Sequence, residues 1–195
     1  MKEVSEDNLP VRILSRRLVV ENTRWKVLFD HIQAENGHEV LGYLVVQPKV
    51  SLEGNVTGVG VLPVLDDKVI LRKSYRYPLE DYFWEIPRGL VEEGDDPEIS
   101  ALRELEEEAG LICDKDDLHF LCNVAPEAST LAAKVAICLA TNCRPGGVRD
   151  LEEPGLGDCH AFTRDEIRSM IASNEVCEGN AQVALCRYLL DVPPA

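Results

Sequence analysis

The chain is short of positive charge: 20 Lys and Arg stand against 35 Asp and Glu, a formal net charge of -15. Such a surface repels phosphate backbones and anionic headgroups. Nucleic acid and membrane are therefore excluded as partners held through a basic footprint. No stretch approaches the roughly 18 consecutive apolar residues that a bilayer span needs. The opening residues Met1-Lys2-Glu3-Val4-Ser5-Glu6-Asp7 lack the basic and apolar regions of a secretory leader. Seven cysteines (Cys113, Cys122, Cys138, Cys143, Cys159, Cys177 and Cys186) show neither C-x-x-C nor Cys/His zinc spacing. They read as free buried thiols in a reducing compartment, which predicts a cytoplasmic protein. His31, His38 and His160 show no metal-ligand spacing, and there is no internal repeat or low-complexity tract. A small anionic substrate is still compatible with this charge, given divalent metal ions or placed arginines to correct it locally.

What is present begins with an ordinary core-forming composition, 45% hydrophobic and 28% charged. Residues 11–20, 24–31 and 38–47 read as three strands, the last two joined at Glu35-Asn36-Gly37, where Asn-Gly accepts positive φ. This predicts a small N-terminal antiparallel sheet within residues 1–56, ahead of a main domain over 57–195. Strands follow at 57–65 and 68–77 around Asp66-Asp67, then at 82–87, 118–124 and 134–141. A helix is expected over 96–110, capped by Asp95 or Asp96, opened by Pro97 and ended by Gly110. Thr163-Arg164-Asp165-Glu166 is a capping box opening a second helix, and a third runs over about 180–190. Strands and helices are mixed without regular alternation, which predicts an α+β fold built on a mixed-sheet sandwich.

Residues 91–108 hold nine acids and one base, Arg103. The plain reading of an acidic run is a solvated helix face. Here Glu104, Glu107 and Glu108 share one stripe at spacing i, i+3, i+4, while Ala101, Leu102, Leu105 and Ala109 supply an adjoining apolar face. Like charges at this spacing destabilise a helix by a few tenths of a kcal/mol per pair. A divalent cation explains the stripe better, since hard Mg²⁺ or Mn²⁺ takes carboxylate oxygens and prepares phosphate chemistry. Gly89 and Gly94 let the preceding loop turn tightly near a ligand.

The arrangement Gly89-x5-Asp95-x7-Arg103-Glu104-Leu105-x-Glu107-Glu108-x-Gly110-Leu111 resembles the Nudix box, with Asp95 where the pattern has Glu. The flanks are similar to the ADP-ribose pyrophosphatase branch of that family. Ser74-Tyr75-Arg76 stands where the branch has Q-Y-R, and Glu85-Ile86-Pro87-Arg88-Gly89 where it has E-L-P-A-G. An N-terminal sheet and a proline beyond the box, here Pro126, also match. The resemblance implies a Nudix-type α/β/α sandwich that hydrolyses a nucleoside diphosphate derivative such as ADP-ribose with Mg²⁺ or Mn²⁺. Glu104, Glu107 and Glu108 would then be metal ligands, joined by the carbonyl of Arg88, with Arg103 orienting the stripe. Substrate contacts fall first to Arg76, then to Glu85, Arg72 and Pro126. The general base falls to an acid of the late loop, Glu153 before Glu152. The branch further implies a homodimer sharing the N-terminal sheet. Trp25, Tyr75 and Trp84 are weighed as base-stacking residues against ordinary core packing. The alternatives are another nucleotide substrate, such as GDP-mannose or a dinucleotide, or a Nudix-fold nucleotide sensor without catalysis.

Overall fold

The computed structural model describes residues 9–147, 149 and 154–191. They divide into two compact units, one of residues 9–50 with 127–133, the other of 51–126 with 134–191.

In the first unit β1 (Val11–Glu21), β2 (Trp25–Ala34) and β3 (Glu39–Pro48) form an antiparallel sheet in that order. The Asn36-Gly37 turn forms as its chemistry requires. Gly37 takes φ +83° and donates to the Ala34 carbonyl at 2.9 Å, while Asn36 Oδ1 accepts from the His38 N–H at 3.0 Å. Residues 127–133 join this unit through β3: Val46 donates to the Thr130 carbonyl at 2.8 Å and accepts from the Ala132 N–H at 2.9 Å. Asp30 is buried and held bidentately by Arg16, at 2.8 and 2.7 Å. Much of the sheet's apolar surface is open, with Val11, Ile13, Leu18, Val20 and Leu41 all exposed.

The second unit is built on a mixed sheet. Its strands are β4 (Val56–Leu65), β5 (Lys68–Arg76), β6 (Asp81–Glu85), β7 (Arg88–Leu90), β9 (Leu118–Val124), β10 (Lys134–Ala140) and β12 (Cys159–Phe162). The order is β12-β5-β4-β10-β9, with β6 on β5 and β7 on β4; only β4 and β10 run parallel. A small ribbon pairs β8 (Leu111–Ile112) with β11 (Arg144–Pro145). Asp66 and Asp67 turn β4 into β5 with φ of +48° and +61°, the paired left-handed geometry that suits strand twist.

Side-chain alternation places the three helices. Leu62, Leu71, Ile137 and Leu139 join Ile167 and Met170 of α2 (Arg164–Ala172) and Ala184 and Leu185 of α3 (Gly179–Asp191) in one buried core. The intervening residues Val59, Val61, Ala136 and Cys138 are also buried but lie on the other sheet face, where α1 (Pro97–Ala109) packs against β4 and β7. The result is the expected α+β sandwich, helices on both faces of a mixed sheet. The α2 capping box forms as read, with Thr163 and Glu166 bonding reciprocally. No helix among the described residues is long and apolar enough to cross a membrane. All seven cysteines are free, but only Cys138 and Cys143 are buried; Cys113, Cys122 and Cys159 are partly exposed, and Cys177 and Cys186 are exposed.

Candidate active site

The acidic helix owes its ends to the predicted signals. Asp96 caps it by accepting from the Glu98 N–H at 2.9 Å, Pro97 occupies the first turn, and Gly110 closes it at φ +66°. Asp95 has a different task. Its Oδ2 accepts from the Glu92 N–H at 3.1 Å and the Ser100 hydroxyl at 2.7 Å, tying the loop to the helix start. Those bonds, Ser100 first, hold its carboxyl below the ordinary carboxylate range.

The carboxylate stripe is not a solvated face. The buried residues of α1 are Ser100, Ala101, Glu104, Leu105 and Glu108, so two of the three glutamates point into the protein beside the apolar contacts. Glu107 is the more open, its side chain 41% exposed, and Glu106 faces solvent. Burial, then the charges of Glu108 and Glu107, push the Glu104 carboxyl up to about 7, against the pull of Arg103. Arg103 spans the stripe: Nη1 lies 3.2 Å from Glu104 Oε1 and 3.4 Å from Glu107 Oε2, and Nη2 reaches the Leu90 carbonyl at 3.4 Å.

The strand before the helix is drawn onto it. The Arg88 N–H donates to Glu108 Oε2 at 2.7 Å, and Arg72 Nη1 lies 2.9 Å from the same oxygen. Gly89 has no room for a side chain: a Cβ there would sit 2.2 Å from Glu104 Oε1. Glu85, with no exposed surface, receives Arg76 Nε at 2.8 Å, and Arg88 Nη2 lies 3.5 Å away. The structure thus gathers Glu104, Glu107, Glu108, Arg103, Arg88, Arg72, Arg76 and Glu85 around one end of α1. Arg72 is fully buried, with no surface to offer a substrate. Pro126 stands exposed after β9, and no hydrogen bond or ion pair among the described residues links it to the acidic helix. Glu152 and Glu153 lie outside the described residues.

The aromatic candidates separate. Trp84 packs edge-on against Phe162 and His160, centroids 5.0 and 5.3 Å away, and donates to Glu175 Oε1 at 3.2 Å. Tyr75 meets Tyr82 edge-on at 5.3 Å. Gly155 and Gly157 follow Glu152 and Glu153 in the late loop. Their backbones run against β5, Tyr75 N–H donating to the Gly155 carbonyl at 2.8 Å, and a Cβ at Gly157 would lie 2.0 Å from the Lys73 carbonyl. Close backbone pairing therefore requires glycine there.

Among the described residues no three His, Cys, Asp or Glu side chains are already drawn around a common point. The donor set nevertheless suits a hard divalent cation: carboxylate oxygens, with like charges brought together on a partly buried helix face.

A short strand precedes a capped helix with two buried glutamates, and a NUDIX domain model matches residues 54–174. The chain belongs to the Nudix family. It is 27% identical over 165 residues to a methanol dehydrogenase activator of Bacillus methanolicus, covering 84% of each chain. It is 35% identical over 105 residues to a mouse (Mus musculus) ADP-sugar pyrophosphatase, covering 51% of this chain and 48% of that one. It is 52% identical over 58 residues to an ADP-ribose pyrophosphatase of Bacillus subtilis, covering 29% and 31%. The chain therefore spans about half or less of these two pyrophosphatases. A crystal structure described as an ADP compounds hydrolase superposes with a TM-score of 0.76 over 92% of each chain at 22% identity, a likeness of fold. The protein is a Nudix hydrolase related to ADP-ribose and ADP-sugar pyrophosphatases.

Proposed function

We propose that this protein is a Mg²⁺-dependent pyrophosphohydrolase, with Mn²⁺ as substitute, that cleaves ADP-ribose or a related nucleoside diphosphate sugar into a nucleoside monophosphate and a sugar phosphate. The observation that carries the reading is the pair Glu104 and Glu108 on the buried face of α1, with Glu104 pushed up to about 7 by burial and its neighbours' charge. A sequence selected for stability alone would not keep these charges together.

Glu104, Glu107 and Glu108, with the Arg88 carbonyl, would hold the cation. When bound, it polarises a phosphate oxygen and lowers the pKa of a bound water. Arg103 holds two of the carboxylates in one orientation from its central position. Arg76 has the planar, bidentate geometry that matches phosphate, and Glu85 fixes where its guanidinium points. Removal of the proton from the attacking water is assigned to Glu153, on its place in the late loop. The open apolar surface of the N-terminal sheet supports a homodimer built there. The free thiols suit a reducing compartment such as the cytoplasm.

The test is incubation with ADP-ribose, GDP-mannose, UDP-glucose, NADH and diadenosine polyphosphates, each with Mg²⁺, followed by chromatography for nucleoside monophosphate. Turnover of none of them defeats the reading. Glu108→Gln should lower kcat by ~10³-fold or more, the several kcal/mol that metal-held charge supplies.

A further inference from the structure

We propose that Arg72 is a positioning residue: a buried guanidinium that fixes the Glu108 carboxylate in the orientation needed to receive the divalent cation. The inference rests on the metal-dependent reading above and deepens it.

The argument starts from strand alternation. Leu71 belongs to the core beneath α2 and α3, so Arg72, Ser74 and Arg76 project from β5 toward the α1 face. On that face Arg72 stands between Cys159 of β12 and Glu85 of β6, its direct cross-strand partners. Its side chain has no exposed surface. Nε donates to Ser74 Oγ at 3.0 Å, and Nη1 lies 2.9 Å from Glu108 Oε2, where the Arg88 N–H also arrives at 2.7 Å. Two positively polarised groups on one oxygen, from two strands, set the rotation of that carboxylate.

Core packing does not account for this arginine. Neither Nη1 nor Nη2 makes an aligned hydrogen bond among the described residues, although both are buried. Buried charge of this kind is costly, and a well-packed apolar residue of similar volume is commonly neutral or stabilising in its place. A direct substrate contact does not account for it either, because nothing of the side chain reaches the surface. What remains is its effect on Glu108. Groups that orient a metal ligand without touching the metal typically contribute 10–100-fold in affinity or activity.

The experiment compares the wild-type protein with Arg72→Met, Arg72→Lys and Ser74→Ala. Mn²⁺ affinity of the substrate-free protein is read by electron paramagnetic resonance of unbound Mn²⁺, alongside melting temperature and ADP-ribose kinetics. Arg72→Met should raise the Mn²⁺ Kd by ~10–100-fold and lower kcat while leaving the KM for ADP-ribose within about twofold. Arg72→Lys should recover part of the Mn²⁺ affinity through its charge, and Ser74→Ala should lose part of it by loosening Nε. A wild-type Mn²⁺ Kd in Arg72→Met overturns the proposal, whatever happens to its melting temperature. If Arg72→Met does not fold, wild-type Mn²⁺ affinity in both remaining variants overturns it. A wild-type protein that neither binds Mn²⁺ nor turns over ADP-ribose brings down the functional reading, and this inference with it. A failure of the inference alone shows only in the variants.

Discussion

Glu104 offers a direct measurement of how much strain the acidic helix carries. Its carboxyl lies near 7 in the folded protein against an ordinary value of 4.5, chiefly through burial and then through Glu108. Between those two values the folded chain holds a proton that the unfolded chain releases. The metal-free protein should therefore lose stability as pH rises from about 4.5 to about 7, and level off above that. The separation corresponds to roughly 3 kcal/mol at about 1.4 kcal/mol per pH unit. That figure is a ceiling, because some of the carboxyl remains open to water. The perturbation is Glu104→Gln, which keeps the shape and removes the titration. The assay is urea unfolding at pH 5, 6, 7 and 8 in the presence of a chelator. Wild type should fall relative to the variant by about 2–3 kcal/mol across that range. Asp95, Glu127 and Glu166 are shifted the opposite way, so the stability they add is lost only at more acidic pH. Wild-type and Glu104→Gln curves that stay parallel from pH 5 to 8 would refute the reasoning.

Three further outcomes are expected. Gly89→Ala should displace the Glu104 carboxylate, since its Cβ would fall 2.2 Å from Oε1, and should cut kcat by ~10–100-fold with an unchanged far-ultraviolet circular dichroism spectrum. Leu105→Ala, at a fully buried position of α1, should cost about 2–5 kcal/mol in chemical denaturation. Sedimentation should give about twice the 21.7 kDa chain mass, with Ile13→Glu shifting it toward the single chain; a wild-type species of 21.7 kDa would contradict the homodimer.

The acidic helix was legible from the sequence because its signals are local: Asp96, Pro97 and Gly110 act within a few residues of their own positions. The carboxylate stripe was legible as spacing, but not the burial of Glu104 and Glu108, which depends on β4 and β7 lying beneath them. Short strands such as β7, β8 and β11 span two or three residues, too few to show a period. The place of Arg72 was hidden for a different reason. An arginine within a strand reads as a surface or ligand-binding residue, and its burial becomes visible only once β12 and β6 flank it. The late-loop glycines carry no local signal either, because their backbones meet β5, which is distant in sequence.

The membership of residues 127–133 in the first unit bears on how this protein can be divided. A truncation beginning at residue 51 would remove Val46 and leave Thr130 and Ala132 without the strand that pairs with them. The chain crosses between the units at 50–51, 126–127 and 133–134, so the amino-terminal sheet is not a detachable cassette. Grafting it onto another hydrolase would require transplanting a second, distant stretch of sequence as well.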